Sequence, residues 1–154
     1  PFFLVWKLKT EKTDKPKGAR RMVEINAYSK EQDGSKKLST HFKAREFACK
    51  DGSDAILVAP RLVMVLQSIR SHFAAPVVIH SAYRTPQYNA KVGGAAHSQH
   101  CYGTAADISV RGQTPAAVAA YARELMPDWG GVGVYAGQGF THIDVRETRA
   151  DWTG

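Results

Sequence analysis

His100 and Asp107 stand seven residues apart in the run Ser98-Gln99-His100-Cys101-Tyr102-Gly103-Thr104-Ala105-Ala106-Asp107. A second histidine, His142, follows thirty-five residues later in Phe140-Thr141-His142-Ile143-Asp144-Val145-Arg146. Imidazole nitrogen and carboxylate oxygen both suit zinc, and two histidines with one aspartate would hold the ion while leaving its fourth position open for water. That is the arrangement of a catalytic site and not of a structural one. In an extended strand alternate side chains share a face, so His142, Asp144 and Arg146 would point one way and Thr141, Ile143 and Val145 the other. Asp107 would share its face with Ala105 and Ser109, which are small enough to leave room for an ion.

Positioning three such groups requires strands whose ends converge. Residues 105–110 and 140–145 read as two of them, the second forming a hairpin with residues 131–135 through Ala136-Gly137-Gln138-Gly139. Val77-Val78-Ile79 is a β-branched run suited to a buried strand that delivers Ser81, Ala82, Tyr83 and Arg84 to its end. Three helices are expected. Pro60 opens the first, whose core stripe is Leu62, Val65, Leu66, Ile69 and Phe73; Thr85-Pro86 opens a short one that Gly93-Gly94 stops; Thr114-Pro115 caps the third, with Val118, Tyr121, Ala122 and Leu125 inward. Phe42, Phe47 and Ala48 form a small apolar cluster before the turn Lys50-Asp51-Gly52.

At 154 residues and 44% apolar composition the chain supports one packed core. Its net charge of +7 is concentrated at the start: residues 1–38 hold ten Lys or Arg against five Asp or Glu, and the remainder eleven against nine. Residues 1–37 are therefore read as a basic, loosely ordered arm with one short strand near residues 22–28, and residues 38–154 as the organised domain. The arm could lean on an anionic polymer, but no recognition motif for a specific nucleic acid is visible. The apolar start, residues 1–6, is too short for a transmembrane segment, and residues 1–21 could be an upstream extension or artefact. Cys49 and Cys101 permit at most one disulfide and no CxxC metal or redox site.

The pattern Ser98-x-His100-x-x-Gly103-x-Ala105-x-Asp107 with His142-Ile143-Asp144 resembles the zinc D-alanyl-D-alanine carboxypeptidase family, part of a wider group that includes lysostaphin-like peptidases and the hedgehog signalling domain. The similarity continues upstream through Ser81-Ala82-Tyr83-Arg84-Thr85-Pro86, Tyr88-Asn89 and Val92-Gly93-Gly94, covering most of residues 39–146. The resemblance implies a small single α+β domain with a central antiparallel sheet flanked by helices. It also implies one zinc ion per chain on His100, Asp107 and His142, and hydrolysis of peptide bonds in bacterial peptidoglycan, by a D-Ala-D-Ala carboxypeptidase or a related endopeptidase. A monomer acting on the cell wall is expected, whether periplasmic, extracellular, or released from the cytoplasm as a phage or prophage lysis enzyme. Arg84 matches the family's arginine and is assigned to oxyanion or carboxylate binding, with Tyr83 also assigned to substrate and Ser98 either to substrate or to capping its loop.

One departure bears on mechanism. Better-known members carry an acidic residue three positions before the second histidine ligand, where this chain has Gly139. Asp144 is the nearest replacement, either as general base or as a partner orienting a ligand histidine. The missing acid keeps open a second reading, a catalytically inactive zinc-binding wall module. His97 is read as a loop or substrate-facing residue, Cys101 as packing, and Trp129 and Tyr135 as either groove or core. His41, His72 and His80 have no partner spacing.

Overall fold

Ser29 ends the first strand and caps the first helix. Strand β1 (Asn26–Ser29) runs directly into the single turn α1 (Lys30–Asp33), where the Ser29 hydroxyl accepts a hydrogen bond from the Gln32 N–H at 3.0 Å. The computed structural model describes residues 22–154, so the expectations for residues 1–21 lie outside the described residues. β1 pairs antiparallel with β2 (Ala55–Val58), with Asn26 opposite Val58. Within the stretch read above as a loose arm, β1 overlaps the short strand expected near residues 22–28, and the helical turn α1 was not anticipated. Between them and β2 a 3₁₀ turn, Ala44–Phe47, buries Ala44 and Phe47 beside Phe42, and the two phenyl rings lie 6.2 Å apart.

The helices keep their expected starts. Pro60 opens α2 (Pro60–Phe73), which buries Leu62, Val63, Val65, Leu66 and Ile69 and ends at Ala74 in the left-handed conformation, φ 47°. After β3 (Val77–Ser81), Thr85 caps α3 (Pro86–Lys91) by accepting from the Tyr88 N–H. Strand β4 (Ala105–Val110) follows, and Thr114 caps α4 (Pro115–Leu125) in the same manner. β5 (Gly131–Tyr135) and β6 (Phe140–Asp144) form the expected hairpin, and β7 (Ala150–Thr153), which the sequence reading did not anticipate, closes the chain.

Five strands form one sheet in the order β3-β4-β6-β5-β7, antiparallel except for the parallel pair β5 and β7. With β1, β2 and the helices this is a small α+β domain. Strand alternation divides the sheet cleanly. Ala106, Ile108, Val110, Val132, Val134 and Ile143 join one apolar core with α2 and α4. The opposite face carries the polar groups.

On that face the register aligns one cross-strand row: Ser81 opposite Asp107, Asp107 opposite His142, His142 opposite Gly133, and Gly133 opposite Trp152. The next row places Ala105 and Gly131 on either side of Asp144. Residues from all five strands are therefore brought into line by hydrogen-bond register alone. Cys49 and Cys101 are both free thiols, so no disulfide joins them.

Candidate metal centre

His100 reaches the polar row from a 3₁₀ turn, Gln99–Tyr102, just before β4. The Ser98 hydroxyl caps this turn by accepting from the His100 N–H at 3.3 Å. Gly103 ends it with φ 73°, and a Cβ there would lie 2.5 Å from the Leu57 carbonyl oxygen. Glycine at this point of the motif therefore answers both a left-handed backbone and close packing on β2.

The ring nitrogens of the two histidines are held in complementary ways. His100 Nδ1 lies 2.7 Å from the Ala82 carbonyl, which can only accept, so the proton sits on Nδ1 and Nε2 presents its lone pair. That Nε2 faces Asp107 Oδ2 at 3.3 Å. His142 places Nδ1 2.9 Å from Asp107 Oδ1 and Nε2 2.9 Å from Asp144 Oδ2. Ligand atoms of His100, Asp107 and His142 all lie within 4.8 Å of one another, and all three residues are buried. A carbonyl behind one imidazole and a carboxylate behind the other is the support that metal-bound histidines require, so the residues present fit a zinc ion.

Asp144 lies beneath this cluster and is fully buried. It accepts from His142 Nε2, from Arg146 Nε at 2.8 Å and Nη2 at 2.6 Å, and from the Arg146 backbone N–H at 3.1 Å. Burial works to raise its pKa, but the hydrogen bonds from His142 and Arg146 outweigh this and bring it down to about 2. Its oxygens are fully engaged and turned away from solvent. Of the two roles expected for Asp144, the geometry supports the orienting one.

For Asp107 and His142 burial also disfavours the charged forms and is outweighed. Hydrogen bonds from His100 and His142 hold Asp107 below the ordinary carboxylate range, while Asp107 and Asp144 raise the pKa of His142. Arg84 stands at the edge of the cluster. It donates from Nε to Ser81 Oγ at 3.0 Å and from Nη2 to Asp107 Oδ2 at 3.3 Å, while Asn89 Oδ1 lies 3.5 Å from Nη1.

The cluster opens into a cleft of about 480 Å³. Arg84, His97, Ser98, Tyr135, Arg146 and Trp152 share its walls with the three candidate ligands. Tyr83 does not line it. That side chain is buried near the Cys49 and Cys101 thiols and Asp51, after β3 has ended, while its neighbour Arg84 lines the cleft. Trp129 is also elsewhere, under the Arg61 guanidinium at 3.3 Å, whereas Tyr135 lines the cleft. His41, His72 and His80 are engaged with Gln67, Tyr121 and Ser109 respectively.

Trp152 was missed in the sequence. Its indole N–H donates to the Tyr135 hydroxyl at 2.9 Å, its ring lies 5.1 Å from that of His142, and Arg146 lies 5.4 Å over it. A single tryptophan in a four-residue apolar-polar alternation near the end of the chain gave no local signal of this. Gly131 was also missed: a Cβ there would lie 2.2 Å from Asp144 Oδ2, so the buried carboxylate occupies the space that a side chain would need.

A family model described as Peptidase M15 matches residues 37–144, which spans every residue of the cluster. No curated protein matches the chain.

Proposed function

The chain belongs to the peptidase M15 family, and from that premise we propose that it is a zinc-dependent hydrolase of peptide bonds in bacterial peptidoglycan stem peptides or cross-links. The observation that carries this reading is the buried convergence of His100, Asp107 and His142 at the base of an open cleft. Zinc, when bound there, supplies a Lewis acid that polarises the scissile carbonyl and makes water nucleophilic near neutral pH.

The chain's own residues divide the remaining work. His100 and His142 present one ring nitrogen each to the site, oriented by Ala82 O and Asp144. Arg84, held by Ser81 and Asp107, offers its guanidinium to the developing oxyanion or to a substrate carboxylate. Ser98 shapes the turn that carries His100, and its place on the cleft wall leaves it available to substrate. Tyr83 has no such access. Apart from Asp107, no carboxylate among the described residues lines the cleft, so we assign proton transfer to the exposed His97 on its wall. All these groups come from one chain, which suits a monomer, and the bacterial wall is the place of action that the substrate implies.

The same lack of a cleft carboxylate supports a second reading, a silent zinc-binding wall module. Incubating purified peptidoglycan with the protein, stripping the metal with a chelator and restoring zinc separates the two. The enzyme reading predicts soluble peptide fragments that vanish with the chelator and return with zinc. Stoichiometric zinc without any fragment would establish the silent module instead.

A further inference from the structure

A second hollow adjoins the cleft beside the cluster. Gln99 and Arg146 line the cleft and also a second groove of about 620 Å³, whose other walls include Ile25, Tyr102, Thr104 and Glu147. Large apolar side chains are exposed at six places among the described residues, and three of them, Met22, Ile25 and Tyr102, line this groove. A gathering of exposed apolar surface beside a site marks a surface that something covers.

Its polar groups suit a chain with amides and charges. Arg146 uses Nε and Nη2 on Asp144, and Nη1 makes no hydrogen bond among the described residues. Thr104 uses its hydroxyl on Gln99, both on the backbone carbonyl at 2.9 Å and on Oε1 at 2.8 Å, which fixes the side chain at the boundary between the two hollows. Apolar walls with a few fixed polar groups, in volumes of several hundred Å³, are the usual form of a ligand site.

We propose that this second groove is the other half of the substrate channel and takes the peptide segment on the far side of the scissile bond. The substrate is then an extended peptide cut internally, and not a chain from which one C-terminal residue is removed. The inference rests on the peptidase reading above. It follows from adjacency: Gln99 and Arg146 line both hollows, so a chain lying against Arg146 in the cleft can extend into the second groove. Hydrolysis places the water hydroxyl on the acyl carbon and a proton on the departing nitrogen, and both products remain peptides.

The test uses the full chain loaded with zinc, with cross-linked muropeptide dimers and pentapeptide muropeptide monomers ending in D-Ala-D-Ala as substrates, and mass spectrometry as readout. The dimers are expected to be cut internally without release of free alanine. The ratio of kcat/KM for dimer over monomer is expected to fall about tenfold in Tyr102→Ala. Ile25→Ala, in the segment before β1, gives the same readout if the first variant does not fold. Free alanine as the sole small product, or an unchanged ratio in the folded variants, overturns the groove while leaving the peptidase reading intact. A wild-type protein that cuts neither substrate with zinc removes both.

Discussion

Asp144 is the residue on which the chemistry of the candidate centre turns, because it links the candidate ligand His142 to Arg146. Replacing it by asparagine removes the charge that faces His142 Nε2 while keeping the shape. Loss of such a partner weakens metal binding about 10- to 100-fold, and Asp144→Asn is predicted to do so in competition with a chromophoric chelator. Unchanged affinity would leave Asp144 without its orienting role. The metal-free protein should also report the coupling through pH. The pKa of His142 is raised above the ordinary imidazole value of 6.5, so its contribution to stability is complete below that value and is lost as pH rises through the folded-state value. Asp107 and Asp144 are depressed from 3.8, so their contribution is present above 3.8 and fades as pH falls through their folded values, about 2 for Asp144. The unfolding temperature of chelator-treated protein is therefore predicted to fall as pH rises above 6.5, while zinc affinity climbs as the competing proton leaves. A midpoint that rises there would contradict the coupling. Proton transfer by His97 predicts that His97→Ala lowers kcat by about 100-fold with its zinc content unchanged; full activity would return the search for the base to other groups.

At the scale of the element, the centre is a consequence of register. The period of two along β6 was legible in the sequence and correctly separates His142 and Asp144 from Thr141 and Ile143, which are buried on the other face. That Asp107 lies opposite His142 was not legible, since a slip of one residue would place Thr141 or Ile143 there and only the packed core selects between them. The starts of α2, α3 and α4 were readable because proline and threonine act locally. β2 and β7 were not, because a run of four residues carries too little pattern to separate strand from loop. Trp152 and the parallel pairing that delivers it were lost with β7. Gly131 gives this scale its prediction: with Asp144 Oδ2 in the place of its Cβ, Gly131→Ala must displace either the strand or the carboxylate. A loss of about 1–3 kcal/mol in urea unfolding, with weakened zinc binding, is expected. A variant as stable as the parent would show that the sheet yields there without cost.

For the whole molecule, the sheet separates stability from chemistry: α2 and α4 cover the face of Ile108 and Ile143, leaving the other face to the row from Ser81 to Trp152. The motif of His100 and Asp107 was readable because its spacing is local, and the family match spans it. Tyr83 is buried away from the cleft that Arg84 lines, since proximity in the chain does not imply a shared direction. No helix among the described residues is long and apolar enough to cross a membrane. The central claim, one zinc on His100, Asp107 and His142 driving peptide cleavage, is tested most directly by titrating zinc into the stripped protein while following cleavage of muropeptides. Cleavage is predicted to rise linearly and stop rising at one equivalent, and to be absent from His142→Ala at the same zinc concentration. Undiminished cleavage by the stripped protein, or by His142→Ala, would contradict it.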